Sequence, residues 1–149
     1  MKYKQAGRAI ALHKISKNMK SKCFTYYQPN SKDIKDAFGD CVIRALTKVE
    51  NKSWVEVFDE LAPIAREMQC MPNGKPCYEE FLKRRGYEYV GVSNKRGTKR
   101  PTVSSFALAH KQGVFIARVA HHIVAVIDGR FYDTWDSGWK SLYGYWIKK

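Results

Sequence analysis

A hairpin signal near the C-terminus limits the fold of this chain more than any other feature. Residues His122–Ile127 are apolar after the histidine, and Arg130–Trp135 form a second segment rich in aromatic residues. Asp128-Gly129 separates the two segments, and an Asp-Gly pair in that position favours the type I′ turn of a two-residue β-hairpin. This turn pairs Ile127 with Arg130, which fixes the register of both strands.

Helical patterns dominate the chain before the hairpin. Apolar residues recur at helical spacing from Asp40, the predicted N-cap of one helix, and Ser53 begins a capping box with Glu56 at the next. Helices followed by strands indicate an α+β fold, with helices packed on an antiparallel sheet as two layers with a groove between them. The predicted elements are helices from Asp40, from Ser53, over Tyr78–Gly86 and over Thr102–His110, and strands over Tyr87–Val92, Val114–Val119, His122–Ile127, Arg130–Trp135 and Tyr143–Ile147.

The length and charge of the chain suggest one domain with a basic arm. Its 149 residues are 44% hydrophobic, which is enough for a buried core. The net charge is +13, and the first 22 residues contain seven Lys or Arg and no acid. We expect an arm over residues 1–25, with a short helix around Arg8–Lys17, and a folded domain over residues 26–149. The arm and a second basic cluster at Lys95–Arg100 are candidates for binding nucleic acid or an acidic protein, although solubility explains the charge equally well.

The four cysteines indicate free thiols. Cys23, Cys41, Cys70 and Cys77 form no CxxC pair, whereas zinc sites usually contain a closely spaced pair. We therefore expect no metal, no cofactor and a reducing, cytoplasmic setting. We expect no membrane contact either, because the sequence has neither a bilayer-length apolar run nor a secretory signal.

Cys41 lies at a predicted helix start, directly after Asp40. Unpaired backbone N–H groups at a helix N-terminus favour a thiolate over a thiol. The same groups can stabilise the oxyanion that forms when sulfur attacks a carbonyl. Asp40 opposes the thiolate unless its carboxylate turns away to cap the helix, so we assign Asp40 a structural role. Taken alone, Cys41 is better explained as a small buried hydrophobic residue.

The hairpin register places a histidine and a carboxylate on one face. Val124 faces Asp133 and His122 faces Trp135, so Asp133 lies one diagonal step from His122. A carboxylate there accepts one ring N–H of His122 and directs the other ring nitrogen toward a thiol. Asp136 points to the opposite face and ranks second, since strand-end capping is sufficient to explain it.

These segments resemble the papain-like cysteine peptidases, including the small bacterial peptidases that trim bacteriocin leaders. That family has a nucleophilic cysteine opening a helix, a histidine starting a downstream strand, and Asn or Asp on the next strand. Asp133-Thr134-Trp135 is similar to the Asn-Ser-Trp triplet of papain, and His122–Val126 resembles the histidine strand. The resemblance covers residues 40–147 in outline and implies a papain-like fold with a triad of Cys41, His122 and Asp133. The chain also resembles small proteins of phages and their bacterial hosts.

One position departs from the family pattern. The family usually has a glutamine a few residues before the cysteine, and its side-chain amide completes the oxyanion hole. This chain has Lys35 there, and the upstream residues of suitable type are Asn30 and Gln28. We therefore take Asn30 and Gln28 as the candidate side-chain donors to the oxyanion.

The residues support competing functions. The first is a thiol hydrolase cleaving an amide, peptide or isopeptide bond, with Cys41 as nucleophile, His122 as base and then acid, and Asp133 orienting His122. The same triad serves acyl transfer, which the sequence does not separate from hydrolysis. The alternative is a catalytically weak or inactive papain-like fold acting as a basic binding module for nucleic acid or an acidic protein partner. A third hypothesis is a phage packaging component whose arm holds DNA.

Overall fold

A six-stranded mixed sheet with helices on both faces organises the protein, so the predicted α+β class is confirmed. The computed structural model describes residues 20–32 and 39–149; the helix predicted around Arg8–Lys17 lies outside them. None of the helices in these ranges is both long and apolar enough to cross a membrane. The described elements, in chain order, are β1 (Phe24–Tyr26), α1 (Cys41–Glu50), α2 (Trp54–Met68), α3 (Lys75–Arg84), β2 (Tyr87–Gly91), α4 (Val103–Ala109), β3 (Val114–Val119), β4 (His122–Ile127), β5 (Arg130–Asp133) and β6 (Gly144–Lys148).

The hairpin of β4 and β5 has the predicted register. The strand order is β1-β5-β4-β3-β6-β2, and every neighbouring pair is antiparallel except β1 and β5. Ile127 lies opposite Arg130. Asp128 and Gly129 have φ values of 47° and 81°, as a type I′ turn requires. A second tight hairpin joins β3 to β4 and places Val119 beside the first residue of β4.

Strand β4 separates two hydrophobic cores. Ile123 and Ala125 face the core formed with α1, α2 and α3, whereas Val124 and Val126 face the core that contains α4. A nearly continuous apolar strand is typical of a sheet that is buried on both faces. The two-layer arrangement expected from the sequence was wrong, because α4 covers the second face and makes a third layer.

Helix α1 packs against the centre of the sheet. Ile43 and Leu46 on its buried face join the same core as Ile123 of β4. Helix α2 packs on α1, and α3 packs on α2 and β2. The capping box predicted at the start of α2 is confirmed, with reciprocal hydrogen bonds between Ser53 and Glu56. This packing fixes where the first residue of α1 meets the sheet.

Strand β1 overlaps the segment that the sequence assigns to the basic arm. It pairs in parallel with β5, with Tyr26 opposite Asp133. Cys23, directly before β1, is buried in the core on the α4 side. The expected boundary at residue 25 therefore falls inside a strand of the domain, and the described end of the 1–25 segment belongs to the fold.

Candidate active site

Cys41 is the first residue of α1, as predicted, with Asp40 at the N-cap position. The carboxylate of Asp40 makes no capping hydrogen bond to the described residues, so the expected capping role was wrong. It pairs instead with the guanidinium of Arg44, one turn further along the helix. The negative charge of Asp40 therefore faces a cation, and its side chain leaves the first backbone N–H groups of α1 uncapped beside the thiol.

His122 and Asp133 form a short hydrogen bond across the hairpin. Nε2 of His122 lies 2.6 Å from Oδ2 of Asp133, and the two side chains are 10% and 2% exposed. Because Nε2 is hydrogen-bonded to the carboxylate of Asp133, Nδ1 is the ring nitrogen that is available to the thiol of Cys41. Cys41 and His122 line the same cleft, and each residue shifts the pKa of the other. The fold thus brings together the three residues that the sequence proposes as catalytic.

Four donors hold the carboxylate of Asp133. Besides His122, Oδ2 accepts the Ser137 hydroxyl at 2.8 Å. Oδ1 accepts the Thr134 backbone N–H at 2.8 Å and Nη2 of Arg44 at 3.2 Å. Burial raises the pKa of Asp133, but the hydrogen bond and charge of His122, with the Ser137 and Thr134 donors, bring that pKa below its ordinary value. Asp133 is therefore an oriented anion at neutral pH.

The thiol and the imidazole favour an ion pair. Burial opposes ionisation of Cys41, but the hydrogen bond and charge of His122, the backbone N–H of Ile123 and the charge of Arg44 lower the Cys41 pKa. Burial also opposes the imidazolium, yet Asp133 and Cys41 raise the pKa of His122 to about 9. A thiolate stabilised by an adjacent imidazolium is an activated nucleophile.

Trp135 packs against the imidazole. The ring centroids of His122 and Trp135 lie 5.2 Å apart, with an angle of 36° between the ring planes. The extended hairpin register predicts this cross-strand contact. The indole therefore restricts the orientation of the imidazole.

The site opens into a cleft of about 330 Å³. Residues 118–123, around the β3–β4 turn, form one wall; Asn73, Lys75 and Tyr78 lie on the other. Cys41 and His122 both line the cleft. A carbonyl group bound in it can therefore reach the sulfur.

The predicted oxyanion donors lie in the segment after β1. Oε1 of Gln28 accepts the backbone N–H of Asn30, and Oδ1 of Asn30 accepts the backbone N–H of Lys32, both at 3.0 Å. Neither Gln28 nor Asn30 lines the cleft at Cys41. Their oxyanion role stays a prediction, and the geometry points to a different amide.

Asn73 is the side-chain amide that lines the cleft. Its Nδ2 donates at 2.7 Å to the carbonyl oxygen of Gly39, two residues before Cys41. Gly39 has a φ of 83°, and a Cβ at this residue would lie 2.5 Å from Nδ2 of Asn73, so glycine permits the approach. Nδ2 carries a second hydrogen that the bond to Gly39 does not use.

Sequence reasoning missed Asn73, Arg44 and Ser137. Asn73 is 34 residues from Gly39 in the chain, and only the tertiary fold joins them. Ser137 gives no local signal. Arg44 did give one, because it follows Asp40 by four residues on a predicted helix, a spacing typical of ion pairs.

The other cysteines are free thiols in different surroundings. Burial, with a contribution from Cys70, raises the pKa of Cys77 to about 11. Cys23 is buried in the core on the α4 side. Over residues 20–32 and 39–149, no cluster of three His, Cys, Asp or Glu side chains could hold a metal ion. Cys41 is thus the cysteine whose surroundings favour the thiolate.

Comparison of the chain with protein-family models, curated proteins and solved structures gives no significant match. The chemistry of the site is therefore inferred from its own geometry.

Proposed function

We propose that this protein is a thiol hydrolase of papain-like type that cleaves an amide, peptide or isopeptide bond. The observation that carries the proposal is the linked set of Cys41, His122 and Asp133, in which the thiol pKa is lowered and the imidazole pKa is raised. A cysteine whose burial is outweighed by an adjacent imidazolium has the character of a nucleophile rather than of a core residue.

In the acylation step, the thiolate of Cys41 attacks the substrate carbonyl carbon. A C–S bond forms, and the carbonyl electron pair moves to oxygen. As the carbonyl re-forms, the C–N bond breaks and the leaving nitrogen takes the proton held by the imidazolium of His122. The products of this step are a thioester on Cys41, a neutral imidazole and a free amine.

In the deacylation step, neutral His122 takes a proton from water while the water oxygen bonds to the thioester carbon. The C–S bond then breaks, which restores the thiolate and the imidazolium and releases a carboxylic acid. Asp133 stays ionised throughout and orients the ring. An amine in place of water gives acyl transfer from the same intermediate.

We assign oxyanion stabilisation to the backbone N–H of Cys41 and the side-chain amide of Asn73. The first belongs to the first residue of α1, which the Asp40 side chain does not cap, and the second lines the same cleft. Donors fixed in position before the reaction stabilise the developing charge without reorganisation. The free thiols of the described cysteines fit action in a reducing compartment such as the cytoplasm.

A general test uses 4-nitrophenyl acetate as an acyl donor. We expect an acetyl thioester at Cys41, located by peptide mass spectrometry, that hydrolyses and allows repeated turnover. Cys41→Ala should abolish turnover, whereas Cys77→Ala should preserve it as the matched control. Similar acetylation of all four cysteines without turnover would contradict the hydrolase.

Polyanion binding is a second candidate function, and the exposed loop containing Lys95, Arg96 and Lys99 favours it. Within the described part of the chain, these three cations form no ion pair. A triple substitution of these residues by Gln should weaken binding to duplex DNA and reduce its salt dependence. Unchanged binding would remove this candidate.

A further inference from the structure

The walls of the cleft beside Cys41 carry positive charge. Arg118 and Lys75 line it, and no Asp or Glu among the described residues does. A cleft lined by one sign of charge concentrates ligands of the opposite sign.

Arg118 lies close to the nucleophile without an acidic partner among the described residues. It stands on β3 directly opposite Ile123, and both residues line the same cleft as Cys41. Cα atoms that face each other across antiparallel strands are about 5 Å apart. The guanidinium contacts Tyr89, with Nη1 3.4 Å from the hydroxyl oxygen, and this neutral contact leaves its charge uncompensated.

Lys75 lies on the other wall, at the first residue of α3. A cation in the first turn of a helix is unfavourable for the helix dipole, and this turn contains no acid. Nζ of Lys75 is 3.7 Å from Oε1 of Glu79, and both side chains are about half exposed, so this pair is weak. This weak pair leaves the charge of Lys75 available to a ligand in the cleft.

We propose that the substrate carries a carboxylate next to the scissile acyl group and that Arg118 and Lys75 bind it. This inference rests on the proposed hydrolase and names its substrate class, an acidic peptide. The carboxylate belongs either to an Asp or Glu side chain or to a peptide C-terminus. Both sources present the same chemistry to a guanidinium and an ammonium group.

The test compares two alkylating reagents at Cys41 in the full chain. Iodoacetate is anionic and iodoacetamide is neutral, and both consume the thiolate, so the ratio of their rates cancels differences in thiolate population. We expect Arg118→Gln and Lys75→Gln each to lower the iodoacetate-to-iodoacetamide ratio about two- to fivefold at low salt. Lys111→Gln, at the far end of the β3–β4 hairpin, is the matched control and should leave the ratio unchanged.

Equal ratios in the parent, Arg118→Gln and Lys75→Gln would overturn the proposal. Lys75 is half exposed, so Lys75→Gln should fold normally. The test therefore stays decisive even where Arg118→Gln fails to fold. If the labelling of Cys41 showed the pH dependence of an ordinary thiol, the hydrolase proposal would be contradicted instead. The iodoacetate-to-iodoacetamide ratio would still measure the effect of the charges that line the cleft. The two failures are therefore distinguishable.

Peptide protection separates the two sources of the carboxylate. Three acetylated tetrapeptides compete with iodoacetamide: one with an internal Glu and an amidated end, one with Gln and a free C-terminus, and one with Gln and an amidated end. Protection by the first identifies a side-chain carboxylate, and protection by the second identifies a C-terminus. Equal protection by all three peptides, or by none, would count against the proposal.

Discussion

Nη2 of Arg44 lies 3.2 Å from Oδ1 of Asp133, which ties the helix that carries Cys41 to the strand that carries the carboxylate. The same guanidinium pairs with Asp40, so one cation serves two buried acids. Arg44 also contributes to the lowered pKa of Cys41. The residue is therefore both a positional link and an electrostatic component of the site.

Replacing Arg44 by Gln should destabilise the fold. The side chains of Arg44, Asp40 and Asp133 are 11%, 7% and 2% exposed, so the substitution leaves buried Asp40 without its cation and removes one of the donors to Asp133. We expect a loss of about 3 kcal/mol in the free energy of unfolding, measured by urea denaturation at pH 7. The matched control is Arg84→Gln, since Arg84 also pairs with two acids but on the surface. Equal stability losses in the two variants would contradict this role.

Asp133→Asn should raise the pH at which Cys41 becomes reactive. Asparagine keeps a hydrogen-bond acceptor but removes the charge that raises the pKa of His122. The imidazolium is then less stable, and it supports the thiolate less well. We expect the rate of iodoacetamide labelling at pH 6 to fall about tenfold.

Asp136→Asn serves as the control for Asp133→Asn. The Asp136 carboxylate bonds to Ser21 rather than to the imidazole, so the labelling profile should match that of the parent. A profile that shifts with Asp136 and not with Asp133 would reverse the assignment.

Asn73→Ala should slow the acylation of Cys41 without changing the rate of its alkylation. Attack on an ester creates an oxyanion, whereas alkylation by iodoacetamide does not. We therefore expect acetylation of Cys41 by 4-nitrophenyl acetate to slow about 100-fold while alkylation keeps its rate. Asn30→Ala and Gln28→Ala test the donors that the sequence suggested and should leave both rates unchanged. Loss of acetylation in either of those two variants would restore the original assignment.

The ion pair should also give stability two opposing dependences on pH. The folded pKa of His122 is raised from 6.5 to about 9, so its contribution is complete below pH 6.5 and is lost as the pH rises toward 9. The folded pKa of Cys41 is lowered from 9.0, so its contribution is complete above pH 9 and is lost as the pH falls through the lowered pKa. Above both 6.5 and the lowered pKa of Cys41, the two dependences cancel, because the folded pair holds one proton on His122, the unfolded pair holds one on Cys41, and both protons are released near pH 9.

This cancellation is measurable by subtraction. The free energy of unfolding of the double variant Cys41→Ala, His122→Ala is subtracted from that of the parent at each pH. We expect the difference to stay level as the pH passes through 9, because the folded and unfolded pairs each release one proton there. A difference that falls as the pH rises through 9 would mean that the thiol of Cys41 keeps its proton in the folded protein.

Local chemistry made the hairpin and the pairing of His122 with Asp133 predictable from the sequence. Asp128-Gly129 fixed the β4–β5 register, and the register alone placed Asp133 beside His122. The start of α1 was predictable because apolar spacing and the N-cap position marked it.

The rest of the fold and of the site depends on contacts between distant segments. Strand β1 has three residues, too few for a periodic signal. The pairing of Arg44 with Asp133 joins residues 89 positions apart, and the approach of Asn73 to Gly39 spans 34. Asp40 marked the start of α1 in the sequence, but its carboxylate pairs with Arg44 and does not cap the backbone N–H groups.

The most direct test of the central claim is the pH dependence of iodoacetamide labelling at each cysteine, read by peptide mass spectrometry. Cys77 serves as an internal reference, because its pKa is raised to about 11. We predict that Cys41 labels rapidly well below pH 8.5, the pKa of an ordinary thiol, and that His122→Ala removes this reactivity. If Cys41 labels no faster than Cys77, or keeps its low-pH reactivity in His122→Ala, no activated thiol exists and the hydrolase proposal is contradicted.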